Sequence, residues 1–191
     1  MLRVMDDVRL SKLLARVLRH APESVGVRLD EQGWADVDEL LAGLRCAGRE
    51  VLRAQLERVV AQSDKQRFEL DGGRIRANQG HSVPVDLKLE SLRPPYVLFH
   101  GTPERNAATI ERDGLHRGTR HHVHLSDDVE TATRVGARRG RPVVFVVSAA
   151  RMADAGHLFY RSRNGVWLTD VVPPDHLSRA TKPREEHNEE P

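Results

Sequence analysis

Apolar residues recur along this chain with the period of helices in some stretches and with that of short strands in others, and no internal repeat is evident. Over residues 8–20, Leu10, Leu13, Leu14, Val17 and Leu18 mark one buried helical face. Pro22 breaks that pattern, and residues 25–29 alternate as a short strand does. Residues 30–33 form a turn, and Trp34 begins the next packed element. Asp36 is placed to cap a helix carrying Val37, Leu40, Leu41 and Leu44, with Glu39 completing an approximate capping box. A third helix is predicted over residues 49–62, burying Val51, Leu52, Leu56, Val59 and Val60. Residues 67–70 and 75–77 flank Asp71-Gly72-Gly73-Arg74 and predict a β-hairpin. Helix, strand, two helices and a hairpin is the order of a winged-helix module, a fold that by itself does not establish nucleic-acid binding.

Residues 82–95, with Pro84, Pro94 and Pro95 about a charged stretch, predict a connector. Residues 96–100 are a buried-strand pattern ending at Gly101-Thr102-Pro103, where Thr102 can cap a helix that Asp113-Gly114 ends. A strand over 122–126, a helix over 127–138, a central strand over 143–148 and a hairpin about Asn164-Gly165 follow. The expected class is α+β, with lobes at 1–85 and 86–180. Residues 181–191 are polar and aperiodic and are expected to be disordered.

The 191 residues hold 30 basic and 28 acidic side chains, so no global field draws in a polyanion and any nucleic-acid contact must be local. Residues 1–90 are balanced at fifteen of each sign; residues 91–180 carry 13 basic and 9 acidic groups. One cysteine, Cys46, excludes an internal disulfide and suits a reducing compartment. The first twelve residues include five charged ones and do not read as a signal peptide, and the longest apolar run, residues 143–147, is too short to span a bilayer. A cytoplasmic protein is expected.

Lys12, Arg16, Arg19 and His20 rise as a second stripe on the first helix, with no carboxylate among them. The stripe is either a solvated basic face or an anion site. Four histidines lie between residues 116 and 124, and His122 and His124 would share a strand face. No cysteine, HExxH pattern or carboxylate cluster completes a ligand set, so no metal is expected. Neither a P-loop nor a Rossmann fingerprint is present. In His100-Gly101-Thr102 the glycine lets a ligand approach the backbone and the flanking side chains can bond ribose hydroxyls, or the tripeptide is simply a turn and helix cap.

Taken in register, Leu18-Arg19-His20, residues 30–34 (Asp-Glu-Gln-Gly-Trp), residues 75–82 (Ile-Arg-Ala-Asn-Gln-Gly-His-Ser), Phe99-His100-Gly101-Thr102, Val123-His124-Leu125-Ser126 and residues 164–169 (Asn-Gly-Val-Trp-Leu-Thr) resemble the RNA 2′-phosphotransferase family from about residue 10 to residue 178. That resemblance implies a winged-helix RNA lobe joined to an ADP-ribosyltransferase-like lobe that consumes NAD as co-substrate. It implies a metal-free, two-step reaction: an internal RNA 2′-phosphate is ADP-ribosylated with loss of nicotinamide, then the ribose 2″-hydroxyl takes the phosphate and leaves a 2′-hydroxyl on the RNA.

By motif, the resemblance assigns catalysis to Arg19, His20, Arg67 and Arg120. Gly118 stands where the family often has methionine, so Arg117 is a neighbouring alternative to Arg120. Cofactor contacts fall to His100, Gly101, Thr102, His124, Ser126, Asn164 and Val166, and RNA or phosphate contacts to Lys12, Arg76 and His81. Asn164-Gly165-Val166 stands where many ADP-ribosyltransferases have a glutamate, which argues against protein modification but not against a phosphate acceptor. Trp167 is expected in the core. Two other activities fit the same residues: ADP-ribosylation of terminal RNA or DNA phosphates, and a non-catalytic RNA binder that senses NAD.

Overall fold

A computed structural model describes residues 5–63 and 65–180, so the tail at 181–191 lies outside the described residues. Helix α1, Asp7–His20, begins where the Asp6 carboxylate accepts from the Arg9 amide and buries Leu10, Leu14, Val17 and Leu18. Its last turn carries Arg19 and His20. The alternating segment at 25–29 is not a strand. Pro22–Val25 is a 3₁₀ turn stopped by Gly26 at φ +68°, and the alternation reflects burial of Val25 and Val27 without a ladder partner. Strand β1 is instead Ala35–Asp36, and Asp36 caps helix α2, Val37–Cys46, by accepting from the amides of Asp38 and Glu39. Helix α3, Arg53–Ala61, starts four residues later than its periodicity suggests. Val51 is buried from an extended segment, and burial alone mimicked the helical repeat.

Strands β2, Phe68–Asp71, and β3, Arg74–Ala77, close through Gly72 and Gly73 at φ +53° and +82°. Two consecutive positive φ values are what a tight two-residue hairpin turn requires. The sheet order is β1-β3-β2. These elements share one core drawn from residues 10–77.

A second core draws on residues 98–172. Strand β4, Leu98–Pro103, runs through Thr102, so Thr102 pairs with Val143 and is not the expected helix cap. A 3₁₀ turn intervenes before helix α4, Ala107–Asp113. Then come β5 (Leu115–His116), β6 (Val123–Leu125), α5 (Val129–Gly136), β7 (Pro142–Val147), α6 (Ala149–Asp154), β8 (Phe159–Arg161), β9 (Trp167–Thr169), β10 (Val171–Val172) and β11 (Leu177–Arg179). Two three-stranded antiparallel sheets, β11-β7-β4 and β6-β9-β8, meet where Phe99 bridges Ser126, and β5 pairs with β10. Helices beside small antiparallel sheets make this an α+β protein.

The expected connector is irregular but packed on both sides. The Asp86 amide donates to the Glu31 carbonyl, and the Leu92 amide to that of Phe159. Between it and the outer face of β6-β9-β8 lies a cavity of about 230 Å³, bordered by Gln79, His81, Leu87, His124, Tyr160 and Leu168.

Candidate active site

The end of α1 delivers Arg19 to the seam between the two cores. Its Nε and Nη2 are buried with no hydrogen-bond partner among the described residues. Leaving guanidinium donors unpaired in the interior is costly, and an arriving anion removes that cost. Burial first, then the charges of Arg67 and Arg120, lower the Arg19 pKa to about 10, so it remains charged at neutral pH. Arg67 stands one residue before β2, where its Nη1 donates to Ser11 Oγ at 3.1 Å. Arg120 lies in the loop before β6 with its pKa lowered by desolvation and then by Arg139 and Arg138. Its amide donates to the Arg117 carbonyl at 3.2 Å. Three guanidiniums from three elements therefore converge.

His20 belongs to the same cluster. Its Nδ1 lies 2.9 Å from Ser82 Oγ, and partial burial, Arg19 and Arg120 lower its pKa. The neutral ring is what burial and two neighbouring cations favour, and a phosphate placed beside it would oppose that field and favour the protonated ring.

His100 is oriented from below. Its Nδ1 donates to the His124 carbonyl at 3.0 Å, since the carbonyl can only accept. Burial and Arg120 lower its pKa, so the ring is neutral with Nε2 as an acceptor. Ser126 is held beside it by paired backbone bonds to Phe99 at 2.8 and 2.9 Å, and its hydroxyl has no hydrogen-bond partner among the described residues. An acceptor nitrogen and a free hydroxyl beside the arginine cluster can bond sugar hydroxyls, with cations at hand for an anionic group.

Thr102, Gly101, Asn164, Val166 and Arg76 are already engaged by other described residues, whereas Lys12 and His81 Nε2 are not. Thr102 Oγ1 is buried and accepts from Asn106 Nδ2 at 3.1 Å. Gly101 is a packing requirement: a Cβ there would meet the Ala132 carbonyl oxygen of α5 at 1.6 Å. Asn164 bridges the residues of the two cores, accepting from Ser162 Oγ at 2.7 Å and donating to the Lys65 carbonyl at 2.9 Å. The Val166 amide and carbonyl both bond within the same hairpin. Arg76 pairs with Glu69 at 2.9 Å and lies over the Trp34 ring at 4.4 Å, and Glu69 also holds Arg163 of the second lobe. Lys12 is exposed on α1, away from any ion pair among the described residues. His81 is 2% exposed, its Nε2 is unpartnered, and burial lowers its pKa to about 4. Trp167 is a buried core residue.

The two histidines expected to share a strand face are separately employed. His122 precedes β6 and lies tilted against the Tyr160 ring, with centroids 5.4 Å apart, while His124 Nε2 lies 2.7 Å from Gln79 Oε1. Among the described residues no group of three or more His, Cys, Asp or Glu is disposed to hold a metal ion, and no helix is long and apolar enough to cross a membrane.

Sequence reasoning passed over Gln79, Ser82 and Glu69. Only Glu69 had a signal: the hairpin register places it directly opposite Arg76.

A family model for RNA 2′-phosphotransferase, Tpt1 / KptA family, matches residues 5–171. A protein of Agrobacterium fabrum named "Probable RNA 2'-phosphotransferase" is 55% identical over 170 residues, covering 88% of this chain and 91% of its own length. Proteins of the same name from Nostoc punctiforme and Streptomyces coelicolor are 51% and 52% identical, covering 90% and 89% of this chain and 96% and 93% of their own. With likeness of that extent running through both cores and the arginine cluster between them, the chain belongs to the RNA 2′-phosphotransferase, Tpt1 / KptA family.

Proposed function

We propose that this protein removes an internal RNA 2′-phosphate using NAD as co-substrate, with the first lobe as a winged-helix RNA module and the second as an ADP-ribosyltransferase-like module. In the first step a phosphate oxygen attacks the anomeric carbon of the nicotinamide ribose. The carbon–nitrogen bond breaks, and nicotinamide leaves with the bonding pair. In the second step the ribose 2″-hydroxyl attacks phosphorus, the bond to the RNA 2′-oxygen breaks, and that oxygen takes a proton. The products are RNA with a free 2′-hydroxyl, nicotinamide and ADP-ribose 1″,2″-cyclic phosphate.

Arg19, Arg67 and Arg120 neutralise the phosphate as nucleophile and then as the transferring group, where positioning and charge stabilisation carry most of the catalysis. His20, once a phosphate has restored its proton, supplies that proton to the leaving 2′-oxygen. His100 Nε2 and the Ser126 hydroxyl engage ribose hydroxyls. The observation that carries this reading is the buried, unpartnered guanidinium of Arg19 beside Arg67 and Arg120.

The test is an oligonucleotide with one internal 2′-phosphate, incubated with the protein with and without NAD in the presence of chelator, all products being weighed by mass spectrometry. Dephosphorylated RNA and ADP-ribose cyclic phosphate, formed only with NAD, support the proposal. RNA that retains ADP-ribose refutes the second step, and unchanged RNA refutes the activity.

A further inference from the structure

One short segment after β3 touches Arg19, His20 and Arg67 of the cluster. The Asn78 amide donates to the Arg67 carbonyl at 2.9 Å. Gly80 runs alongside Arg19, with a methyl group placed there lying 3.8 Å from the guanidinium carbon. The Ser82 amide donates to the Arg19 carbonyl at 2.9 Å, closing the end of α1, and Ser82 Oγ meets His20 Nδ1. Gln79 reaches across to the other core, where its Oε1 lies 2.7 Å from His124 Nε2.

That contact is the first link of a chain. With Gln79 Oε1 as the acceptor, His124 carries its proton on Nε2. The same residue's carbonyl accepts from His100 Nδ1 at 3.0 Å, which fixes the His100 proton and leaves Nε2 as the acceptor. Both rings are buried enough to stay neutral, with His124 pushed down to about 3. His124 Nε2 is thus occupied by a protein group and is not available to a ligand.

We infer that Gln79, a residue of the RNA-side lobe, is a positioning residue for the NAD pocket: by holding the His124 side chain it places the β6 backbone whose carbonyl orients His100. This rests on the NAD-dependent reading above. It gives the two lobes a physical connection, because whatever seats residues 78–82 around Arg19 and His20 also seats His100. Groups that orient a ligating histidine by hydrogen bonding its second nitrogen are a recurrent device.

Two measurements on Gln79→Ala and Gln79→Glu decide it. Imidazole ¹⁵N spectra of the ligand-free protein report ring tautomers directly. The wild type is expected to show the His124 proton on Nε2 and the His100 proton on Nδ1. Gln79→Ala is expected to change the tautomer balance of His124 and to shift the His100 ring signals while the His100 proton stays on Nδ1, whereas Gln79→Glu keeps an acceptor at the same reach, retains the wild-type signals of His100 and raises the His124 pKa. Steady-state kinetics then divide the roles. Losing one such bond should raise the KM for NAD about tenfold in Gln79→Ala while the KM for RNA stays within about twofold, and Gln79→Glu should restore the KM for NAD. Unchanged ring spectra in Gln79→Ala, an unchanged KM for NAD, or a loss confined to RNA would overturn the assignment. A wild type that consumes no NAD would sink the functional reading instead, and the ring spectra would still decide the chain of bonds.

Discussion

Replacing Gly101 with alanine separates two explanations of the glycine between His100 and Thr102. On one, the missing side chain makes room for a ligand; on the other, it makes room for helix α5. Gly101 has no positive φ, so backbone freedom is not the reason for it. A Cβ at this position would lie 1.6 Å from the Ala132 carbonyl oxygen and 2.4 Å from its carbonyl carbon. Real carbon–oxygen contacts are about 3.3 Å or longer, so α5 must retreat by about 1.7 Å. Shortening the side chain at 132 cannot help, because the obstructing atoms are backbone.

The retreat would also open the second close approach in this interface, where a Cβ on Gly136 would be 2.9 Å from the Thr102 amide nitrogen and carbonyl oxygen. Overpacking of a rigid core costs about 1–3 kcal/mol for added methylenes, and a clash with a helix backbone belongs at the upper end. About 3 kcal/mol in a chain of this size lowers the melting midpoint by about 6–12 °C. Thermal and urea denaturation of ligand-free Gly101→Ala against the wild type measure this. A variant with a wild-type midpoint but weakened NAD binding would refute the packing argument and return Gly101 to the ligand.

Arg19→Lys keeps the charge but loses the planar donor fork, and is expected to slow phosphate release by about 100-fold while NAD binding falls less than about threefold; equal loss of both would misplace Arg19. Arg76→Met leaves Glu69 half-paired in a largely buried position, and is expected to cost about 3 kcal/mol in denaturation while RNA affinity stays within about twofold; the reverse pattern would make Arg76 an RNA contact. His81 is held neutral, with a folded pKa of about 4 against an ordinary 6.5. Its contribution is therefore full above about pH 6.5 and lost as the pH falls toward 4, and a His81→Gln variant should show a flatter decline of stability over that window. Superimposable pH–stability curves would show that His81 is not the group responsible.

The core of this fold was legible because periodicity reports burial. Leu10, Leu14, Val17 and Leu18 sit on one face of α1 as their spacing demands, and Asp36 caps α2 as its position before an apolar repeat demands. Periodicity failed where burial occurred without regular pairing. Val25 and Val27 are buried in a 3₁₀ turn and an unpaired segment, and Val51 in the extended approach to α3. Strands β5, β10 and β11 are two or three residues long, too short for alternation to register.

In the site, what could be read was which groups lack a partner. The basic stripe of α1 has no carboxylate at helical spacing, and Arg19 is indeed left with two unbonded nitrogens in the interior. What could not be read was which polar groups find partners far along the chain. Gln79 and His124 are 45 residues apart, and Asn164 and Lys65 are 99 apart; no local pattern marks either pair. Arg76 shows where the boundary lies. Its partner Glu69 follows from the two-glycine turn, because closing the hairpin at Asp71 and Arg74 forces residues 69 and 76 opposite each other. A cation whose counter-ion is set by local geometry is spoken for before any ligand arrives, and a cation without one is available to a phosphate. By that criterion Arg19 is left available to an anion, while Arg76 is committed to the hairpin that holds it.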